Sequence, residues 1–212
     1  MMTSTRSQAS VQHFIRLEEA GDHRPCEKGP WLRHSSQPVY ENPWISLRHE
    51  EVTTPTGTSG IYGKLHFKHV AVGVIPVDAE GYTWLVKQYR YALEQDSWEI
   101  PEGGCPEAED GLEQEGLLEC AKRELKEETG LSADKWTELL RLHTSNSVTD
   151  EWAVIYIAEN LTEGEPEPDE FEELEIRRLP LQQAIDMAMS GEITDAMSLA
   201  GLFKLALMQA DR

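Results

Sequence analysis

At 212 residues, with 39 acidic against 19 basic side chains and a formal net charge of −20, the chain is long enough for one sizeable α/β core and has the wrong sign for DNA, RNA or an anionic membrane as a partner. No apolar run approaches a membrane span, and the first residues lack the hydrophobic stretch of a signal peptide. Three cysteines (Cys26, Cys105 and Cys120), odd in number and without metal-ligand spacing, predict reduced thiols and a cytoplasmic protein.

Residues 1–34 are polar and mixed, with a short amphipathic helix predicted around Val11 to Glu19, and read as an N-terminal extension that is mobile or drapes over the domain. Residues 35–212 read as one domain. Its first strands are predicted at Val39 to Thr54, Gly60 to Phe67, Val70 to Val77 and Tyr82 to Gln88, all rich in β-branched and aromatic residues. Pro55-Thr56-Gly57 and Asp78-Ala79-Glu80-Gly81 punctuate them as turns. Trp98-Glu99-Ile100-Pro101-Glu102-Gly103-Gly104 is an extended segment closing in two glycines. A helix follows, because Leu118, Ala121 and Leu125 recur at helical spacing and Gly130 supplies the C-terminal stop. Strands are then predicted at Trp136 to Leu142 and Trp152 to Ala158, an acidic loop at Glu163 to Glu172, a last strand at Leu174 to Leu179, and helices at Leu181 to Met189 and Asp195 to Met208. Strands, helix, strands, helix predict an α/β fold with a mixed sheet between helices.

The first of these helices carries its acids in an unfavourable place. Glu124, Glu127 and Glu128 fall at i, i+3 and i+4, where like charges repel by roughly 0.2–0.5 kcal/mol per pair. They also crowd the negative end of the helix dipole. At about 100° per residue, Glu128 lands inside the arc of Leu117, Leu118, Ala121 and Leu125, with Glu124 on its edge. A carboxylate in an apolar stripe is costly unless it is paired or bound to a metal. Helix physics alone leaves two readings: a solvated acidic face with ion pairs to Lys122, Arg123 and Lys126, or a cation site. No histidine or cysteine cluster competes, so hard oxygen ligands favour Mg²⁺ or Mn²⁺ over zinc.

Arg123-Glu124-Leu125-Lys126-Glu127-Glu128-Thr129-Gly130-Leu131, with Glu115 eight residues before Arg123, resembles the Nudix box G-x5-E-x7-R-E-U-x-E-E-x-G-U, where U is aliphatic. Every position from Glu115 to Leu131 matches. One departure precedes them. Ten residues, Cys105 to Gln114, separate Gly104 from Glu115 where the family pattern has five, which places an insertion in the acidic run from Glu107 and makes Glu109 a rival for the first glutamate of the box. Val39 to Ile45, Lys87 to Tyr91, Ser145 to Glu151 and Gly191 to Ala196 extend the resemblance towards the ADP-ribose pyrophosphatase and nucleoside-diphosphate-sugar hydrolase branch.

That resemblance implies a Nudix-type α/β/α sandwich with a mixed β-sheet and an N-terminal β-extension. It implies a metal-dependent pyrophosphohydrolase that cleaves ADP-ribose or a related nucleoside diphosphate sugar to a nucleoside monophosphate and a sugar phosphate. Glu124 and Glu128 match the metal ligands, with Glu127 third and a backbone carbonyl at Gly103 or Gly104, the latter preferred, and Mg²⁺ or Mn²⁺ as the ion. Arg123, Glu115, Gly103 and Gly130 match structural positions of the motif, Arg123 bracing the glycine loop. Arg90 is matched to a phosphate contact, and Trp44 and Tyr40 to the nucleobase platform. The catalytic base in this branch often lies on a later loop, which nominates Glu170 first and Glu172 second, beside Glu127 in the box. A homodimer with exchanged N-terminal strands is also implied. Alternatives are a Nudix hydrolase of a dinucleotide or an oxidised nucleoside triphosphate, or a non-catalytic nucleotide-binding module. Thr144-Ser145-Asn146-Ser147 lacks the proline that ADP-ribose hydrolases of the family commonly carry beyond the box, which leaves the sugar open.

Overall fold

The computed structural model describes residues 21–106, 114–167 and 173–210, without the side chains of residues 114 and 115. The helix expected around Val11 to Glu19, the rival Glu109, and both loop candidates Glu170 and Glu172 lie outside the described residues. The chain divides into two compact units, Met1–Phe67 and Lys68–Arg212.

The first unit is an antiparallel sheet in the order β1 (Cys26–Lys28), β2 (Trp31–Glu41), β3 (Ile45–Thr53), β4 (Ser59–Phe67). The run Val39 to Thr54, expected as one strand signal, is broken by a turn. The Asn42 side-chain oxygen accepts the Trp44 and Ile45 N–H groups at 2.9 and 2.8 Å, which reverses the chain between β2 and β3. Strand structure also starts well before Val39, and the expected boundary at 34/35 falls inside β2. The physical reason is that β2 is held by polar cross-strand partners. Ser36, fully buried, donates to Glu50 and accepts from Arg48, and Arg33 pairs with Asp22. Residues chosen for such pairs carry no β-branched signature.

The second unit contains β5 (His69–Pro76), β6 (Tyr82–Arg90), β7 (Gln95–Glu99), β8 (Glu102–Pro106), α1 (Gln114–Thr129), β9 (Ser132–His143), β10 (Trp152–Thr162), β11 (Glu175–Pro180), α2 (Leu181–Ser190) and α3 (Ala196–Ala210). One sheet is mixed, in the order β8-β5-β10-β9, with β5 and β10 parallel; the other is antiparallel, β11-β6-β7. Strand alternation divides the mixed sheet between two cores. Val70, Val72 and Val74 of β5 and Val154, Tyr156 and Ala158 of β10 cluster with Leu117, Ala121 and Leu125 of α1. Ile75, Ala153, Ile155 and Ile157 cluster instead with Ala184 and Ile185 of α2 and Met197, Leu202 and Leu205 of α3. Helices on both faces make the α/β/α sandwich. Each fully buried aliphatic side chain in these cores contributes about 1.5–3 kcal/mol.

The extended segment from Trp98 to Gly104 serves both sheets. β7 pairs with β6 through Glu99 and Val86, while β8 pairs with β5 through Glu102 and Gly73. The switch occurs at Ile100-Pro101, whose proline carbonyl accepts the Val74 N–H at 2.8 Å. Glu99 and Glu102 therefore flank a crossing between sheets.

The cysteine reading needs correcting. Cys105 on β8 and Cys120 on α1 are joined by a disulfide with Cα atoms 5.6 Å apart, and only Cys26 is free. Odd count and spacing reported nothing about this pair, because packing of α1 on β8 brings the two residues together, not their separation in sequence. Among the described residues no helix is long and apolar enough to cross a membrane.

Candidate active site

The acidic face of α1 lies against the backbone of residues 102–104. Glu128 is 2% exposed and Glu124 9%, whereas the Glu127 side chain keeps about a quarter of its surface (28%). Glu128 Oε2 accepts the Glu102 N–H at 2.9 Å. Glu124 occupies the space a side chain would need at Gly103: a Cβ there would sit 2.2 Å from its carboxyl carbon. Gly103 is thus required by close approach. Arg123 donates to Glu124 Oε1 and Glu127 Oε2, each at 2.6 Å, and to the Gly104 carbonyl at 3.2 Å. Burial opposes the charge on Arg123, but the Glu124 and Glu127 carboxylates outweigh it and raise its pKa.

Gly103→Ala is expected to push the Glu124 carboxylate out of place without unfolding the domain. A displacement on the 1 Å scale costs about 10²-fold in rate. Turnover within a few-fold of wild type, with an unchanged melting temperature, would show that Glu124 does not need this seat.

A second acidic group adjoins the first. Arg90, at the end of β6, reaches Glu99 with Nε at 2.9 Å and Nη2 at 2.5 Å, and Glu102 with Nη2 at 3.0 Å. Asp195 precedes α3 and its Oδ2 accepts the Ser198 N–H at 2.7 Å, an N-cap contact. One oxygen each from Glu99, Glu102 and Asp195 lies within 4.8 Å of the others. Burial works against the charge on Arg90, yet its bonds to Glu99 and the charge of Glu102 raise its pKa. Burial pushes the Glu102 carboxyl well above its ordinary 4.5, and Asp195 and Glu99 push it the same way.

From pH 4.5 up to that raised value, folded Glu102 keeps a proton that the unfolded chain has released. Metal-free stability is therefore lost as pH rises through the window. Glu102→Gln has no proton to lose. Its melting temperature in chelator should match wild type below pH 4.5 and exceed it increasingly at higher pH. A difference that stays flat with pH would refute the burial of this charge.

The remaining expected positions are spread more widely. Gly130 ends α1 at φ +74°, and a Cβ there would lie 2.4 Å from the Gly164 carbonyl. The start of the acidic loop is thereby seated on the end of the box helix, with Glu167 N–H donating to the Glu127 carbonyl at 2.9 Å and Lys126 pairing with Glu167 at 2.9 Å. Trp44 and Tyr40 belong to the first unit, 64% and 42% exposed, with the Tyr40 hydroxyl accepting from Asn42 at 3.3 Å. Glu115 begins α1. The sequence did not single out Glu99, Glu102 or Asp195 as site residues. Glu99 and Glu102 carried a signal, acids alternating with Trp98, Ile100 and Pro101, but Asp195 joins them only through the fold.

The NUDIX domain profile matches residues 67–197, about three-fifths of the chain and all of this acidic site. The chain belongs to the Nudix family. Its residues 29–65 match the nucleoside diphosphate sugar hydrolase N-terminal domain, which accounts for the four-stranded first unit. This Nudix chain is 34% identical to an ADP-ribose pyrophosphatase of Bacillus subtilis over 83% of its length and 92% of that protein. It is 32% identical to an ADP-ribose pyrophosphatase of Mycobacterium tuberculosis over 79% of each. A solved structure of an ADP compounds hydrolase superposes with a TM-score of 0.72 at 22% identity, covering 89% of this chain and 95% of that one, a likeness of fold. The protein is a Nudix pyrophosphohydrolase.

Proposed function

We propose that this Nudix hydrolase cleaves the pyrophosphate bond of ADP-ribose or a related nucleoside diphosphate sugar, giving a nucleoside monophosphate and a sugar phosphate. The observation that carries the reading is the pair of buried carboxylates, Glu124 and Glu128, closed over the backbone at 102–104 in a chain so similar to ADP-ribose pyrophosphatases. Buried carboxylates on one helix face suit a hard divalent cation, Mg²⁺ or Mn²⁺, held by Glu124 and Glu128 with Glu127 and the Gly104 carbonyl beside them. When bound, such an ion neutralises phosphate charge and lowers the pKa of a water.

The chain's own groups do the rest. Arg123 fixes Glu124, Glu127 and the loop in one arrangement. Arg90, an obligate cation already placed by Glu99 and Glu102, offers its guanidinium to a phosphate oxygen. Glu170, or Glu172 after it, takes the proton from the attacking water. Trp44 and Tyr40, exposed in the first unit, present faces to a nucleobase. The reading includes a homodimer in the cytoplasm, although the thiol argument for that compartment no longer supports it.

The test is hydrolysis of a panel of nucleoside diphosphate sugars in ¹⁸O-labelled water, on protein sized by light scattering. Activity should vanish in excess chelator and return with Mg²⁺, label should appear on a phosphate, and the active species should be a dimer. Label on a sugar hydroxyl, turnover persisting in chelator, or a fully active monomer each removes the corresponding part of the reading.

A further inference from the structure

We propose that Glu99, Glu102 and Asp195 hold a divalent cation of their own, separate from the one assigned to Glu124 and Glu128. The three carboxylates come from three places in the fold. Glu99 ends β7, Glu102 opens β8 across the sheet switch, and Asp195 stands at the start of α3. Ionised together, the three carboxylates outnumber the Arg90 guanidinium by two formal negative charges. One divalent ion cancels that excess.

A second observation points to a ligand and not merely to an acidic surface. The Glu102 side chain is nine-tenths buried (10% exposed), and while its Oε1 is held by Arg90, its Oε2 is buried with no hydrogen-bond partner among the described residues. A buried carboxylate oxygen without a donor is costly, and no group among the described residues supplies one here. Ligand oxygens within 4.8 Å of one another match positions around a cation bound at about 2.3–2.6 Å. The donor set is all carboxylate, which selects Ca²⁺, Mn²⁺ or Mg²⁺ over zinc or copper.

Asp195 has a double role in this arrangement. One of its oxygens caps α3 through Ser198 N–H, so the helix orients the carboxylate towards Glu99 and Glu102. The Ser198 hydroxyl in turn accepts the Ile100 N–H at 2.9 Å, tying the start of α3 to the backbone between the two glutamates. The three ligands are therefore cross-braced before any ion arrives.

The experiment counts bound Mn²⁺ on the full chain, without substrate, by the loss of the free-ion electron paramagnetic resonance signal. Wild type is compared with Asp195→Asn, which keeps a competent N-cap, with Glu102→Gln, and with the double variant Glu124→Gln/Glu128→Gln. Each of the first two should bind one Mn²⁺ fewer than wild type, or bind it more than about tenfold more weakly. The double variant should retain one ion, and adding Asp195→Asn to it should remove that ion. Wild-type count and affinity in Asp195→Asn, or no ion in the double variant, would overturn the site; if Glu102→Gln fails to fold, Asp195→Asn alone decides. The count is independent of substrate. Loss of the ion in Asp195→Asn in a chain that hydrolyses no nucleoside diphosphate sugar would uphold this site and sink the proposed substrate.

Discussion

Replacing either Glu124 or Glu128 by glutamine is expected to lower turnover by about 10³-fold or more while the domain stays folded. A metal clamp on phosphate oxygens supplies several kcal/mol of transition-state stabilisation, and each 1.36 kcal/mol is a factor of ten. The two carboxylates have different surroundings, so the secondary effects should differ. Glutamine at 128 still offers an oxygen to the Glu102 N–H, and a charge is removed from a site only 2% exposed. Melting in chelator should therefore stay level or rise for Glu128→Gln. Glutamine at 124 forfeits the ion pair with Arg123, which retains Glu127 and the Gly104 carbonyl, so little stability is lost. Wild-type-like kcat in either variant, with metal present, would sink the assignment of the ligands.

Glu170→Gln is expected to reduce kcat by about 10²–10⁴-fold, with KM and Mn²⁺ affinity little altered, because a positioned base acts in the transition state and binds neither ion nor substrate strongly. The structural support comes from the start of the loop. Gly164 presses on Gly130, and Glu167 is bonded through its backbone to Glu127 and through its side chain to Lys126. A glutamate three residues further along has a short tether to the box helix, since each residue spans at most about 3.6 Å. Glu172→Gln serves as the control. A large effect there and none at Glu170 would shift the base by two positions along the loop.

The helix bearing Glu124 and Glu128 was legible in the sequence because its signal is local. Apolar residues at 3.6-residue period define a stripe, and an acid inside the stripe is visible on a wheel. The sandwich was legible for the same reason, since β5 and β10 read as near-continuous apolar runs buried on both faces. The onset of β2 was not. Arg33, Ser35 and Ser36 belong in a strand only because Asp22, Glu51 and Glu50 are there to meet them. Glu99, Glu102 and Asp195 escaped notice because a change of sheet at Pro101 and the docking of a distant helix bring them together. The Cys105–Cys120 pair was missed likewise, each cysteine being unremarkable until β8 and α1 are in contact.

That disulfide lies on either side of the extra residues between Gly104 and Glu115. It closes a loop with a sequence separation of 15, and the buried Cys105 and Leu117 hold its two ends in the same core. The spacing of the acids over residues 102–104 is consequently set by the staple and the packing, not by how much chain runs between them. Loop-closure entropy grows slowly with chain length, by about 0.6 kcal/mol for each doubling. A peptide inserted between the two cysteines is therefore expected to leave the acids over residues 102–104 in place, which turnover and melting of the insertion variant would check.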